Sequence, residues 1–225
     1  MKQPISEVYN GDCMDFMRDL PDGYFDLVVA DPPYGINFEN YERGGSGEKT
    51  RKRFTKIGKR RWDSESPKSV FFDELFRVSK NQIIWGGNYF WLPPTFHFIV
   101  WNKLQPLENF SDYEFAWTSF KKPHKEYSER NYGNGEKIHP TQKPIALYKY
   151  LLTNYAKPGQ KIFDPMMGSQ SSRIAAWDMG FDYYGCEKDG GYFRDGCARF
   201  EAHIKKPVLF APEQMYNFEQ AKLFE

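Results

Sequence analysis

The sequence predicts an α/β fold, a largely parallel sheet covered by helices, and three observations carry that prediction. Short apolar runs alternate with helix-like stretches along the 225 residues, as expected when strands and crossover helices follow one another. One run, residues 24–30 (YFDLVVA), stops abruptly at Asp31-Pro32-Pro33-Tyr34-Gly35. The stretch 160–187 reads as strand, glycine/serine turn, helix and strand in succession. The length suits a single domain over 1–225, because α/β units of this size form one core. Aromatic residues make up 18% of the chain against 40% for all hydrophobic types, so rings build much of the core or of a binding surface.

The elements follow in order. Asp12 precedes a helix that begins near Met14 and suits its N-cap. After strand 24–30, two successive prolines forbid both helix and central strand. This places Asp31 at a strand's carboxyl end, where open α/β sheets bind ligands. Residues 67–79 open on a proline and set Val70, Phe71, Leu75 and Val78 on one helical stripe. Strand-like runs follow at 82–85 (QIIW), 96–101 (FHFIVW) and 113–117 (YEFAW). The polar stretch 118–137 reads as a loop or small insert with an excess of base. A helical pattern runs from Thr141 to Tyr155 and breaks at Lys157-Pro158-Gly159. Strand 160–164 then leads through Pro165–Ser172 into a helix over 173–180, and strand 182–186 ends at Glu187. A helix that starts directly after such a turn exposes backbone N–H groups to a polar or anionic group. An acid at the end of the next strand suits a ribose diol.

Charge is unevenly placed. The formal net charge is +1, yet residues 43–61 hold Arg43, Lys49, Arg51, Lys52, Arg53, Lys56, Lys59, Arg60 and Arg61 against Glu48 alone, a local +8 on a body of −7. A dense basic block opened by Gly-Gly-Ser-Gly and lacking apolar periodicity is a loop drawn to phosphates. The three cysteines, Cys13, Cys186 and Cys197, are widely spaced and support neither a disulfide framework nor a zinc site, so no metal is expected. No stretch approaches the ~18 apolar residues of a membrane span, and the N-terminus lacks a signal-peptide core. A cytoplasmic protein is the expectation.

Asp31-Pro32-Pro33-Tyr34, His139-Pro140-Thr141-Gln142-Lys143-Pro144 and Phe163-Asp164-Pro165-Met166-Met167-Gly168-Ser169 together resemble the amino-methylating DNA methyltransferases that use S-adenosylmethionine. Asn10-Gly11-Asp12-Cys13 and Gly185-Cys186-Glu187-Lys188-Asp189 also look like signatures of that family, and the motif order is similar to its β arrangement. The resemblance spans residues 10 to about 200. It implies a Rossmann-like, doubly wound mixed sheet with small target-recognition inserts, here the basic loop 36–64 and the insert 118–137.

The implied reaction is methyl transfer to the N6 amine of adenine in a flipped-out base of double-stranded DNA. The exocyclic amine is a poor nucleophile because its lone pair is delocalised, so it must be held and aligned. The resemblance gives this task to Asp31 and the Pro32 carbonyl as acceptors, stiffened by Pro33, with Tyr34 stacking on the base. Asp31 is expected to orient the amine and stabilise its developing positive charge. For the cofactor, Glu187 is implied at the ribose and Asp12 with Cys13 at the adenine edge. Asp31, His139, Thr141, Lys143, Asp164, Pro165, Met166, Gly168 and Ser169 are implied around the remainder, with Lys143 at the carboxylate. The glycines of Trp85-Gly86-Gly87-Asn88-Tyr89-Phe90 suit a close approach to the base. Two departures stand out: Met166 where the family usually has Phe, and Gln170 where it often has a third glycine. The alternatives are cytosine N4, an RNA or protein-amide target, or an inactive nucleic-acid-binding relative. Asp as first residue favours adenine, and the retained motif together with Glu187 weighs against inactivity. The short chain leaves little room for a recognition domain, so recognition of a short site or help from a homodimer partner is expected; a cognate restriction endonuclease is a separate partner the resemblance implies.

Overall fold

The computed structural model describes residues 3–37, 63–104, 111–130 and 137–206. The basic run 43–61 lies outside them, as do 131–136 of the insert. The described strands are β1 (Ser6–Asn10), β2 (Leu27–Ala30), β3 (Gln82–Trp85), β4 (Phe98–Asn102), β5 (Tyr113–Thr118), β6 (Lys125–Ser128), β7 (Lys161–Asp164) and β8 (Asp182–Glu187). The helices are α1 (Cys13–Arg18), α2 (Ser69–Val78), α3 (Ile145–Tyr155), α4 (Ser171–Asp178) and α5 (Gly190–Ile204). One sheet holds the strands in the order β1-β8-β7-β2-β3-β5-β4-β6. β5 runs antiparallel to β3 and β4, and the other pairs are parallel.

Every residue of β2 and β3 is buried, which is what helices on both faces require. Leu27, Val29, Ile83 and Trp85 pack on one face with Leu147 and Leu151 of α3 and Ala175 and Ala176 of α4. Val28, Ala30 and Ile84 pack on the other with Met17 of α1 and Phe71, Leu75 and Val78 of α2. The sheet is therefore doubly wound. The crossover from β2 to β3 uses α2 on one face and that from β7 to β8 uses α4 on the opposite face, so the chain changes direction between β2 and β7. That is the switch point at which such sheets open a crevice beyond their carboxyl edge.

Several elements differ from the sequence reading. On α2, Val70 is 53% exposed while Phe72 is buried, because the inward face runs through 71, 72, 75 and 78. The helix expected from Thr141 begins at Ile145, after Pro144 in extended conformation. α4 begins at Ser171 and stops in a Schellman turn, with Gly180 at φ +76° and the N–H of Phe181 donating to the carbonyl of Ala176. The insert contains β6, which pairs with β4.

Gln170, the departure from a third glycine, sits before α4 in the left-handed region at φ +60°. Its strain, about 1–2 kcal/mol for a residue with a Cβ, is offset by a fully buried side chain. The Gln170 carbonyl oxygen accepts from Arg173 at 2.9 Å, and its amide donates to the Phe193 carbonyl at 3.3 Å. This arrangement needs Gly196 on α5, since a Cβ there would meet the Gln170 side chain at 2.6 Å. Gly196→Ala is therefore expected to lower unfolding free energy by about 1–3 kcal/mol despite the better helix propensity of alanine. Denaturant titration measures this, and an unchanged or raised midpoint would contradict the packing.

Candidate active site

β2 ends because Pro32 and Pro33 cannot continue the ladder, and this leaves Asp31 at the sheet's carboxyl edge. Its side chain is 18% exposed, and each of its oxygens has a partner. Oδ1 accepts the Tyr34 hydroxyl at 3.0 Å, and Oδ2 meets the Lys143 ammonium at 2.6 Å. Tyr34 is fixed from several sides. Its backbone N–H and that of Gly35 donate to Oδ1 of the buried Asp63, at 2.6 and 2.9 Å. Its ring stacks on Tyr89 with centroids 4.8 Å apart and meets the edge of Phe90 at 6.1 Å. Gly86, at φ +70°, is where the glycine-rich turn after β3 passes the tyrosine: a Cβ there would collide with the Tyr34 ring. Asp63 also joins the two ends of the basic segment, since its carbonyl accepts the Asn37 N–H at 3.0 Å. Both roots of that segment thus stand beside Tyr34.

Lys143 is buried and also pairs with Glu114 of β5 at 3.1 Å, while Glu114 meets Lys103 at 3.0 Å. The ammonium lies 5.3 Å from the centre of the Trp85 ring. Burial pushes the Asp31 carboxyl above its ordinary range, against the pull of Lys143, and the Glu114 charge adds to the rise. Glu114 goes the other way: burial alone would raise it, but Lys143 and Lys103 hold it below the usual glutamate value. Lys143 stays charged because Asp31 and Glu114 outweigh its own desolvation. Burial and the Asp31 charge raise the Tyr34 phenol well above normal, so it remains a hydrogen-bond donor.

Next to this lies a second group at the ends of β7 and β8. Asp164 is buried; Ser172 donates to one of its oxygens at 2.6 Å and the Met166 N–H to the other at 3.1 Å. Desolvation outweighs these bonds and raises its carboxyl to about 7. Glu187 accepts the N–H of Gly168 at 2.9 Å and of Asp189 at 2.8 Å, leaving each oxygen a further lone pair. His139 packs on Tyr192 with centroids 4.3 Å apart, and a Cβ on Gly168 would lie 3.6 Å from its ring. Thr141 bonds back to His139 Nδ1 at 3.1 Å. Arg199 of α5 donates to the Ser169 carbonyl at 2.6 Å and reaches Ser171 at 3.0 Å, fixing the turn before α4.

The sequence-identified residues thus fall into two adjoining groups on one sheet edge. Asp31, Tyr34 and Lys143 form the first; His139, Thr141, Asp164, Met166, Gly168 and Glu187 form the second, with Pro165 and Ser169 in its loop. Asp12 stands next to it, capping α1 through the Met14 N–H at 3.0 Å and pairing with Lys188 at 2.9 Å. Cys13 is buried, its thiol pushed up to about 12 by desolvation, and is no nucleophile. Lys143, implied at a cofactor carboxylate, makes ion pairs with Asp31 and Glu114. Sequence reasoning missed Glu114, Lys103, Asp63 and Arg199. In YEFAWT the rings at 113, 115 and 117 suggest an inward face, yet Tyr113 and Phe115 are exposed while Glu114 points into the site. Among the described residues no group of histidine, cysteine and carboxylate side chains could hold a metal, and no helix is long and apolar enough to cross a membrane.

Comparison with known proteins agrees with this geometry. The DNA methylase family model for N6 and N4 enzymes matches residues 59–197. The Type II methyltransferase M2.MboI of Moraxella bovis is 24% identical, with 90% of this chain and 89% of the relative covered. The M1.HpyAVI–SAM complex superposes with a TM-score of 0.53 at 22% identity, covering 86% of this chain and 98% of that one. The cytosine-N4-specific PvuII DNA methyltransferase gives 0.59 at 15% identity, covering 95% and 93%. With its motifs gathered on one sheet edge and the family model spanning more than half of its length, this chain belongs to the N6/N4 DNA methylase family.

Proposed function

We propose that this DNA methyltransferase moves the methyl group of S-adenosylmethionine to the N6 amine of an adenine extruded from double-stranded DNA. The observation that carries the proposal is Asp31-Pro32-Pro33-Tyr34 at the switch point, its carboxylate hydrogen-bonded to its own tyrosine and beside a stack of aromatic rings. Asp as the first motif residue favours adenine within the family.

The second group of residues fits the cofactor. Glu187 retains acceptor capacity for a ribose diol, Gly168 leaves its turn open beside His139, and Asp164 adds a second, buried carboxyl group at the end of β7. M1.HpyAVI was solved with SAM. In this assignment Asp12 and the Cys13 backbone face the adenine edge, and His139, Thr141, Asp164–Met166, Gly168 and Ser169 surround the remainder. The cofactor supplies an electrophilic methyl on a sulfonium.

The chain's own residues prepare the nucleophile. Tyr34 offers a ring face for the base, in a stack that already holds Tyr89. Asp31 Oδ1 exchanges the Tyr34 hydroxyl for one amine hydrogen, and the Pro32 carbonyl takes the other, which turns the nitrogen lone pair out of conjugation. As the nitrogen becomes cationic, the Asp31 carboxylate stabilises it, and the surplus amine proton is then released to solvent, leaving the neutral N6-methylamine. Lys143 holds Asp31 in place. The basic residues Arg43, Lys49, Arg51, Lys52, Arg53, Lys56, Lys59, Arg60 and Arg61 bind phosphates, a role supported by the anchoring of their segment at Asp63 beside Tyr34. The insert 118–137 is a second DNA-facing element, and the assembly is proposed to work in the cytoplasm, as a monomer or homodimer, alongside a cognate endonuclease.

The test is transfer from labelled cofactor to unmethylated DNA, followed by digestion to nucleosides. Label in N6-methyladenine is expected; label in N4-methylcytosine, or in RNA alone, would overturn the adenine reading. Asp31→Ala should reduce the transfer rate roughly 100- to 1000-fold while equilibrium binding of the cofactor is retained. Neutralising Arg51, Lys52 and Arg53 should flatten the salt dependence of DNA binding, by up to about 0.9 in slope for every phosphate that is no longer neutralised. An unchanged slope would remove the segment from the DNA interface.

A further inference from the structure

We infer that Glu114 is a positioning residue of the transfer reaction: by sharing the Lys143 ammonium with Asp31, it keeps Asp31 both fixed in place and electron-rich. The inference rests on the role proposed above for Asp31. Its basis is a row of alternating charges along the ends of four neighbouring strands of the sheet. Asp31 follows β2, Trp85 ends β3 and Glu114 opens β5, which sits next to β3. β5 is antiparallel to β3, so its first residues, rather than its last, reach the carboxyl edge. Lys143 spans the gap above the Trp85 ring, 2.6 Å from Asp31 and 3.1 Å from Glu114. Lys103, just beyond β4, completes the row at 3.0 Å from the other Glu114 oxygen.

A lysine this deeply buried needs anions beside it. With Asp31 as sole partner, its full charge would fall on one carboxylate and draw off the electron density needed by a cationic amine. Two carboxylates divide that charge, and the split is unequal. Glu114, facing both lysines, is held below the usual glutamate range, while Asp31, facing one, is raised above its ordinary range by burial. Tyr34 faces Asp31 from its own turn, Asp164 of β7 lies within electrostatic reach of Asp31, and Tyr148 of α3 within reach of both carboxylates. These three are left intact in both network variants below.

The signs are opposite for the two members of the row that lie beyond Lys143. Glu114→Gln removes a negative charge near Asp31 and leaves Lys143 to Asp31 alone; both effects lower the Asp31 pKa. Lys103→Met binds Lys143 more tightly to Glu114 and raises it. Single-turnover methyl transfer to DNA, followed against pH, should therefore show its acidic limb moved to lower pH in Glu114→Gln, with a plateau rate reduced about tenfold, the coupling expected within one ion-pair network. The acidic limb should move to higher pH in Lys103→Met, and cofactor affinity should be retained in both. Glu114→Asp should restore part of the diminished rate. If Glu114→Gln does not fold, Lys103→Met alone decides the sign. Limbs that coincide with that of the unsubstituted protein, or that move in the same direction, overturn the inference while leaving the proposed function standing. An active Asp31→Ala overturns the function itself.

Discussion

An ammonium ion enclosed by protein costs several kcal/mol of forfeited hydration unless anions and dipoles replace the water, and Lys143, with a side chain 3% exposed, sets that constraint for the whole site. Its solution draws on four separated parts of the chain. Asp31 is present at the edge because two prolines end β2, Glu114 because β5 runs against its neighbours, Lys143 because the turn before α3 returns over the sheet, and Trp85 because β3 ends between them. The residues are far apart in sequence, so the arrangement exists only in the folded sheet. Rigid placement of Asp31 follows from it, since a carboxylate held by both Lys143 and Tyr34 has little freedom left.

The neighbouring group obeys different physics. Around Gly168 and Glu187 the principal bonds are between backbone N–H groups and a carboxylate, and the space is set by what a Cβ would strike. Gln170 shows how the chain accommodates a departure there. A left-handed residue that favours glycine carries a long side chain, and its amide is accommodated by Gly196 and Arg173. The strain at the start of α4 is thus tied to the packing of α5. Arg199 makes the same connection from the other side. The turn that carries the proposed cofactor interactions is held by a helix outside the motif itself.

Much of this was legible in the sequence, for reasons that are local. β2 and β3 announce themselves as unbroken apolar runs, and Asp31 is located by the prolines that follow it. Gly180 marks the end of α4 as a left-handed position should. What escaped was set by tertiary context. Glu114 lies in an alternating strand whose rings suggest the opposite inward face, and that strand spans a sheet whose outer part is less covered than its centre. Asp63 has no pattern around it, because its partners are backbone N–H groups in a turn 28 and 29 residues earlier. The insert hides β6, whose residues Lys125–Ser128 are polar because β6 lies at the sheet's edge. α5 is the exception, an element missed although its signal is local: it follows an N-cap, Asp189, and sets Tyr192, Gly196 and Phe200 at helical spacing.

Lys143 holds Asp31 on one oxygen, so that its other oxygen is available to an amine. A crystal structure with a non-reactive cofactor analogue and a DNA duplex carrying the unmethylated target site reads this placement. The expected complex has an extruded adenine on the Tyr34 ring, its amine bonded to Asp31 Oδ1 in place of the tyrosine hydroxyl, with the Lys143 ammonium still on Oδ2 and on Glu114. A base bound away from Asp31, or Lys143 withdrawn from Asp31 to the cofactor carboxylate, would contradict it.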